Sequence, residues 1–316
     1  MAKQSGLGAR FLVGGYDISG DVQALDTISG SCALLDTTDI TQSAHSRIAG
    51  LRDGKMSFTA FMDTANAHPV LSALPHTDVQ MMALLPALAV GGAVACLNAK
   101  QVNYDPSRAA DGALMLKVDG EGNAYGLEWG VTLTAGLRTD TTATSGTAFD
   151  NAAAAVNGAQ AYLQVTAVAG TSVTVTVQQS ADNSTWITLA AFTAVSAAPA
   201  FQRIATAAPQ SFTATNASPC VFTVPGSAPA NGVPVALAGT APTGFTAGTV
   251  YYVVSSSGST FELSATSGGS AINSSSTGSG TATPAVLRYL RATTSGTFNP
   301  ATFAVAVNVN QAAVSF

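Results

Sequence analysis

Residues 55–63 read KMSFTAFMD, with Met56, Phe58, Ala60 and Met62 alternating against Lys55, Ser57, Thr59, Phe61 and Asp63. A period of two marks a strand with one buried and one solvated face. Upstream, SCALLDTT (31–38) forms a second extended run. Between the two, DITQSAHSRIAGLRDG (39–54) is polar, carries both signs of charge and ends in Asp53-Gly54, a pair that favours a hairpin turn. Two paired strands, 31–38 and 55–63, are therefore expected, joined by a long polar loop.

Working outward, the pattern stays extended. Residues 171–179, TSVTVTVQQ, set Val173, Val175 and Val177 against threonines, and 161–167 and 187–195 are further short strands. TFAVAVNVN (302–310) puts Phe303, Val305, Val307 and Val309 on one face. Residues 70–85, VLSALPHTDVQMMALL, carry the one helical pattern, with Leu74, Val79, Met82 and Leu85 at helical spacing. A mainly β fold with one short helix is the expectation.

Charge divides the chain. Of its 316 residues only 9% are charged, against roughly 25% in an average soluble protein. Residues 1–140 hold nine basic and fourteen acidic side chains, whereas 141–316 hold Asp150, Asp182, Arg203, Glu262, Arg288 and Arg291 alone. TDTTATSGTAFDNAAAAVNG (139–158) between them reads as a linker. From 209 the chain turns Ser/Pro/Gly-rich and carries its own strands, VFTV, PVALAG and VYYVVSSSGSTFELSA. This reads as an insertion at a loop tip, and FQRIATA (201–207) and VLRYLRATTSGTF (286–298) are expected to pair once it is removed. The division is 1–145, then 146–208 with 285–316, interrupted by 209–284.

Several function classes lose ground. A net charge of −5 leaves no basic patch to neutralise phosphates, which disfavours tight nucleic-acid binding. Cys32, Cys96 and Cys220 lie far apart with no CxxC, so neither a zinc site nor a disulfide framework is expected. The stretch MMALLPALAVGGAVACL (81–97) is short for a membrane span and broken by Pro86 and Gly91-Gly92, so a buried helix followed by a core strand is expected, without membrane insertion. The N-terminus lacks the apolar segment of an export signal. His45, His68 and His76 stand near no nucleophile motif, and no enzyme, cofactor or metal is expected. Asp36 and Asp39 read as a solvated strand end rather than a metal pair. GEGNAYG (120–126) lacks the Lys and the helix of a phosphate loop and reads as a turn.

The stretches GLGARFLVGGYDISGDVQALDTISGSCALLDTTDIT (6–41), HSRIAGLRDGKMSFTAFMD (45–63), YDPSRAADGALMLKVDGEGN (104–123) and GLEWG (126–130) resemble the major tail, or tail tube, proteins of long-tailed bacteriophages of the actinobacterial kind. Residues 161–195 and 288–307 resemble the β-sandwich appendages of phage structural proteins, galactose-binding-like or immunoglobulin-like. The insert is similar to a small β module of tail and fibre proteins.

This resemblance implies a tail-tube β-sandwich or barrel carrying a β-sandwich with an inserted β domain. It implies six-membered rings that stack into a tube, the long loop of one ring engaging the next, with assembly in the host cytoplasm and residence in the virion. On that mapping the contact loop contains Asp39, His45, Arg47, Arg52 and Asp53, and Asp36, Ser57, Thr59 and Asp63 face the lumen. Partners would be other copies of the chain, a tape-measure protein, tail-end proteins and genomic DNA passing through unbound. The added domains would obstruct a contractile sheath, which favours a non-contractile tail. Trp186, Tyr251 and Tyr252 are candidates for stacking on host-surface glycans. Two other readings stand beside this one, a carbohydrate-binding surface adhesin and a capsid decoration or head-fibre protein.

Overall fold

The computed structural model describes residues 5–73, 78–86 and 88–311. The protein is mainly β, with one helix of seven residues among those described. In the first part run β1 (Arg10–Val13), β2 (Tyr16–Asp17), β3 (Val22–Asp36), β4 (Arg47–Phe61), the helix α1 (Ala67–Ala73), β5 (Asp78–Leu84), β6 (Ala93–Gln101), β7 (Asp105–Arg108), β8 (Leu114–Gly122) and β9 (Glu128–Thr132). The alternation in KMSFTAFMD is realised on β4, where Met56, Phe58 and Ala60 are buried. They pack with Phe11, Val79, Met81, Leu97, Leu116 and Val118.

Two expectations are corrected here. Residues 78–84 are a strand, not a helix, and the helix described, α1, spans Ala67–Ala73. Strand β5 lies between β1 and β6 and is buried on both faces, so it shows no alternation and its apolar spacing mimics a helix. Leu74, Pro75 and His76 fall outside the described residues. Nor does Asp53-Gly54 make a turn, because Gly54 pairs with Gly30 in mid-strand. A Cβ on Gly54 would stand 2.5 Å from the Leu127 backbone nitrogen and 2.6 Å from Leu97 Cδ1, so glycine serves close packing at this point.

The second part is built on β12 (Ala159–Ser180) and the closing strand, which pair from Ala159↔Val309 to Ser180↔Tyr289. Before β12 come β10 (Arg138–Asp140) and β11 (Phe149–Asp150), and after it β13 (Ile187–Ala191) and β14 (Ala200–Ala205). The inserted segment forms a closed barrel of β15 (Gln210–Ala214), β16 (Phe222–Thr223), β17 (Pro234–Thr240), β18 (Val250–Ser257), β19 (Thr260–Ser264) and β20 (Gly278–Pro284), after which β21 (Tyr289–Val309) closes the sandwich. The barrel has its own core, centred on Phe222, which packs against Phe212, Phe245 and Phe261.

Strands 201–207 and 286–298 do not pair with each other. Strand β14 lies on the first half of β12, and residues 289–298 lie on its second half. At 22 residues β12 is long enough to take both neighbours at different points along its length. The stretch read as a linker is also zipped down, with β10, β11 and the bridges Ser145↔Thr293 and Ala155↔Val286 running along or beside β21. Arg138 forks onto Asp140 at 2.9 and 2.6 Å, and Thr294 donates to Asp140 at 2.7 Å.

The two parts share a sheet. Its order, β13-β12-β21-β9-β6-β5-β1-β2, crosses from one to the other where Val131 of β9 pairs with Val307 of β21. At this crossing a Cβ on Gly130 would stand 2.3 Å from the Val307 carbonyl oxygen. A fourth apolar cluster seals the junction, with Leu12, Met82, Leu84, Val94 and Cys96 against Tyr162, Ala304 and Ala306.

Candidate assembly surface

Beyond residue 30, the β3–β4 hairpin leaves the body of the protein. From Ser31 to Asp36 and from Arg47 to Asp53 nearly every side chain is exposed, on both faces of the ribbon. Register sets Leu34 opposite Ala49 on one face and Leu35 opposite Ile48 on the other. Leu34 is 61% exposed, Ile48 58% and Leu51 87%, and Ile40 at the tip is fully exposed. A two-stranded ribbon is marginal by itself in water, and apolar side chains on both its faces have no internal surface to cover them.

The tip is shorter and better ordered than the long loop expected from sequence. Residues 47–54 belong to β4, leaving 37–46 as the connection. Asp36 accepts from the Thr38 amide at 2.9 Å and contacts His45 Nδ1 at 3.0 Å. The Thr38 hydroxyl and amide, with His45 adding to them, hold the Asp36 carboxyl below its ordinary range. Asp39 accepts from the Thr41 amide at 2.8 Å. Of the contact residues named from sequence, Asp39 and His45 lie in this tip, while Arg47, Arg52 and Asp53 lie on β4 and are exposed.

At the base of the arm the polar face of β4 continues across β8. Lys55 bonds Glu121 at 2.8 Å and lies 3.7 Å from Asp119, and the Glu121 hydrogen bond raises the Lys55 pKa. Ser57 donates to Asp119 and is buried, and Thr59 donates to Asp26 at 2.8 Å. The pairs Lys55↔Glu121 and Ser57↔Asp119 thus put Lys55, Ser57 and Thr59 on one sheet face with Asp119 and Glu121. Of the residues expected to face a lumen, Ser57 and Thr59 share this face. Asp36 is out on the arm, and Asp63 lies past the end of β4, accepting from the Ala65 amide at 2.7 Å ahead of α1.

The candidate glycan aromatics do not form a group. Tyr251 is in the barrel core, accepting from the Thr246 amide at 2.9 Å, so it cannot stack on a ligand. Trp186 is half-buried with the Arg291 guanidinium over its ring at 4.1 Å. Tyr252 edges a cleft between sandwich and barrel together with Asp182 and Leu287. Both Asp182 oxygens are occupied by its own turn, through the Ser184 and Thr185 amides and the Ser180 and Thr185 hydroxyls.

A buried charged cluster escaped the sequence reading. Glu128 of GLEWG accepts from Arg203 at 2.8 Å and from the Tyr162 hydroxyl, and Arg203 Nε donates to Tyr162 at 2.9 Å. Burial, and then the Glu128 charge, push the Tyr162 hydroxyl far above its ordinary range. The same two causes, in the same order, push up the thiol of Cys96. The signal in the sequence was a lone glutamate in an apolar strand and a lone arginine in a part almost without charge. Among the remaining histidines, His68 contacts the Tyr104 hydroxyl, and His76 lies outside the described residues.

No family model matches the chain, and no curated protein matches it. Among solved structures the chain is similar to the SPP1 Dit (gp 19.1) protein, described as a paradigm of the hub adsorption apparatus in phages infecting Gram-positive bacteria. The identity is 10%, the match covers 94% of this chain and 98% of that one, and the TM-score is 0.27. A TM-score that low does not define a shared fold.

Proposed function

We propose that the protein is a structural subunit of a phage virion that self-assembles into stacked rings forming a non-contractile tail tube. The observation that carries this reading is the β3–β4 arm, a ribbon with Leu34, Leu35, Ile48 and Leu51 exposed on its two faces. Burying one such side chain contributes about 1.5–3 kcal/mol, so four in a partner's surface would outweigh the marginal stability of a lone hairpin. The polar face of β3, β4 and β8 then lines the bore, where Asp26, Asp119 and Glu121 outnumber Lys55 and Lys117 and leave the face net acidic toward a passing DNA backbone. The sandwich and barrel project outward. No catalytic role is assigned to any residue. Tape-measure and tail-end proteins, DNA in transit and host glycans are the partners of this reading.

Negative-stain electron microscopy of the full-length protein across a concentration series tests it. Hollow rods or stacked rings with external knobs are expected. Particles that remain monomeric at every concentration, even when seeded with isolated phage tail-tip complexes, would sink it.

A further inference from the structure

A cleft of about 380 Å³ opens where the first part, the sandwich and the barrel meet. Tyr125 enters it from the loop before β9, Gln160 from β12, Asn157 and Asn310 from the strand ends, and Thr283 from β20. Its size falls in the range of small-ligand sites. Arg203 also lines it, but its charge is already matched by Glu128 at 2.8 Å, and its guanidinium lies 3.7 Å from the centre of the Tyr125 ring. An anion would meet no uncompensated cation there, and a cation would meet no open carboxylate.

The remaining lining is neutral and able to hydrogen-bond. Gln160 is only 6% exposed; its Oε1 accepts from Asn308 at 3.3 Å, and among the described residues its Nε2 donates to nothing. The open donor of this amide faces the cleft rather than a sealed interior, so either water or the hydroxyl of a ligand can take it. Beside it the Asn157 side-chain amide makes no hydrogen bond among the described residues, although the Asn157 backbone carbonyl accepts from Asn310 at 2.9 Å. Asn310 Oδ1 is left as an acceptor. Amide donors and acceptors round a cleft edged by a half-exposed tyrosine suit a ring bearing several hydroxyls.

We infer that this cleft binds one neutral saccharide unit, held by Gln160 and Asn157 beside Tyr125. The site lies away from Trp186 and Tyr252 and does not depend on the protein forming tubes. Saturation-transfer NMR on the full-length protein, with D-galactose, N-acetyl-D-glucosamine and D-mannose as probes, tests it. At least one probe is expected to bind with a dissociation constant on the order of 1 mM. Gln160→Met and Asn157→Ala should each weaken that binding roughly tenfold, while Tyr252→Ala leaves it unchanged. Should the strand variant fail to fold, Asn157→Ala, in an irregular segment, decides alone. Absence of transfer from all of these sugars at about 20 mM overturns the site, as does transfer that survives both cleft variants or disappears with Tyr252→Ala.

Discussion

The Arg203 guanidinium lies 2.8 Å from the Glu128 carboxylate, with neither side chain more than a tenth exposed. Glu128 stands on β9 of the first part and Arg203 on β14 of the sandwich, so this ion pair, with Tyr162 between them, crosses the junction. Removing one partner of such a pair leaves an uncompensated buried charge. Arg203→Ala is expected to destabilise the protein by about 3–5 kcal/mol, and Glu128→Gln in the same chain should restore part of that loss. Denaturant unfolding of the single and double variants measures it. Equal stability of Arg203→Ala and the parent would mean that water reaches the cluster.

The arm makes a prediction of the opposite kind. Leu35→Ser with Ile48→Ser removes two exposed apolar groups that touch nothing in the core, so subunit stability should change by no more than about 0.5 kcal/mol. Sedimentation and electron microscopy should show assembly lost or shifted to much higher concentration. Tubes that form as readily with both serines would remove the arm from the contact.

At the sheet crossing, Gly130→Ala places a methyl 2.3 Å from the Val307 carbonyl oxygen. Both partners are backbone, so relief requires β9 and β21 to part, and a loss of roughly 1–3 kcal/mol or more is expected. Thermal unfolding is the readout, with an unchanged midpoint counting against the packing described.

At the arm tip, Asp36 titrates below its ordinary 3.8 because Thr38 and His45 stabilise its ionised form. A carboxyl depressed in the folded state contributes order that is complete above 3.8 and is lost as pH falls through the lower folded value. Amide exchange at Thr38 should therefore stay protected down to pH about 4 and accelerate below it. In Asp36→Asn the protection should be weaker at every pH. A titration midpoint for Asp36 at or above 3.8 would contradict the hydrogen-bonded tip.

Where one face of a strand is buried, the sequence was readable. Met56, Phe58 and Ala60 of β4 and Val173, Val175 and Val177 of β12 alternate in the chain and are buried in the fold. Strand β5 was misread because burial on both faces erases alternation, leaving Val79, Met82 and Leu85 to imitate a helix. Gly54 was misread because the same residue serves a turn and a close approach, and the approaching partner, Leu127, is distant in sequence. The Glu128–Arg203 pair was invisible for the same reason of distance. Of the arm, the pairing and the polar tip were legible. Its exposure was not, since Leu34, Leu35, Ile48 and Leu51 look like core residues until the rest of the sheet is seen to stop short of them.

The pairing of β9 with β21 bears on the order in which the protein is made. While the ribosome is still working through the sandwich and barrel, β9 has β6 on one side and nothing on the other. The first part thus waits with an open edge, and with Leu12, Met82 and Leu84 only partly covered once Tyr162 has emerged on β12, until Ala304 and Ala306 arrive on β21. A nascent chain carrying its arm but not its closing strand is an unfinished subunit. In the folded subunit β21 is therefore the strand that both covers this edge and ties the sandwich to the first part.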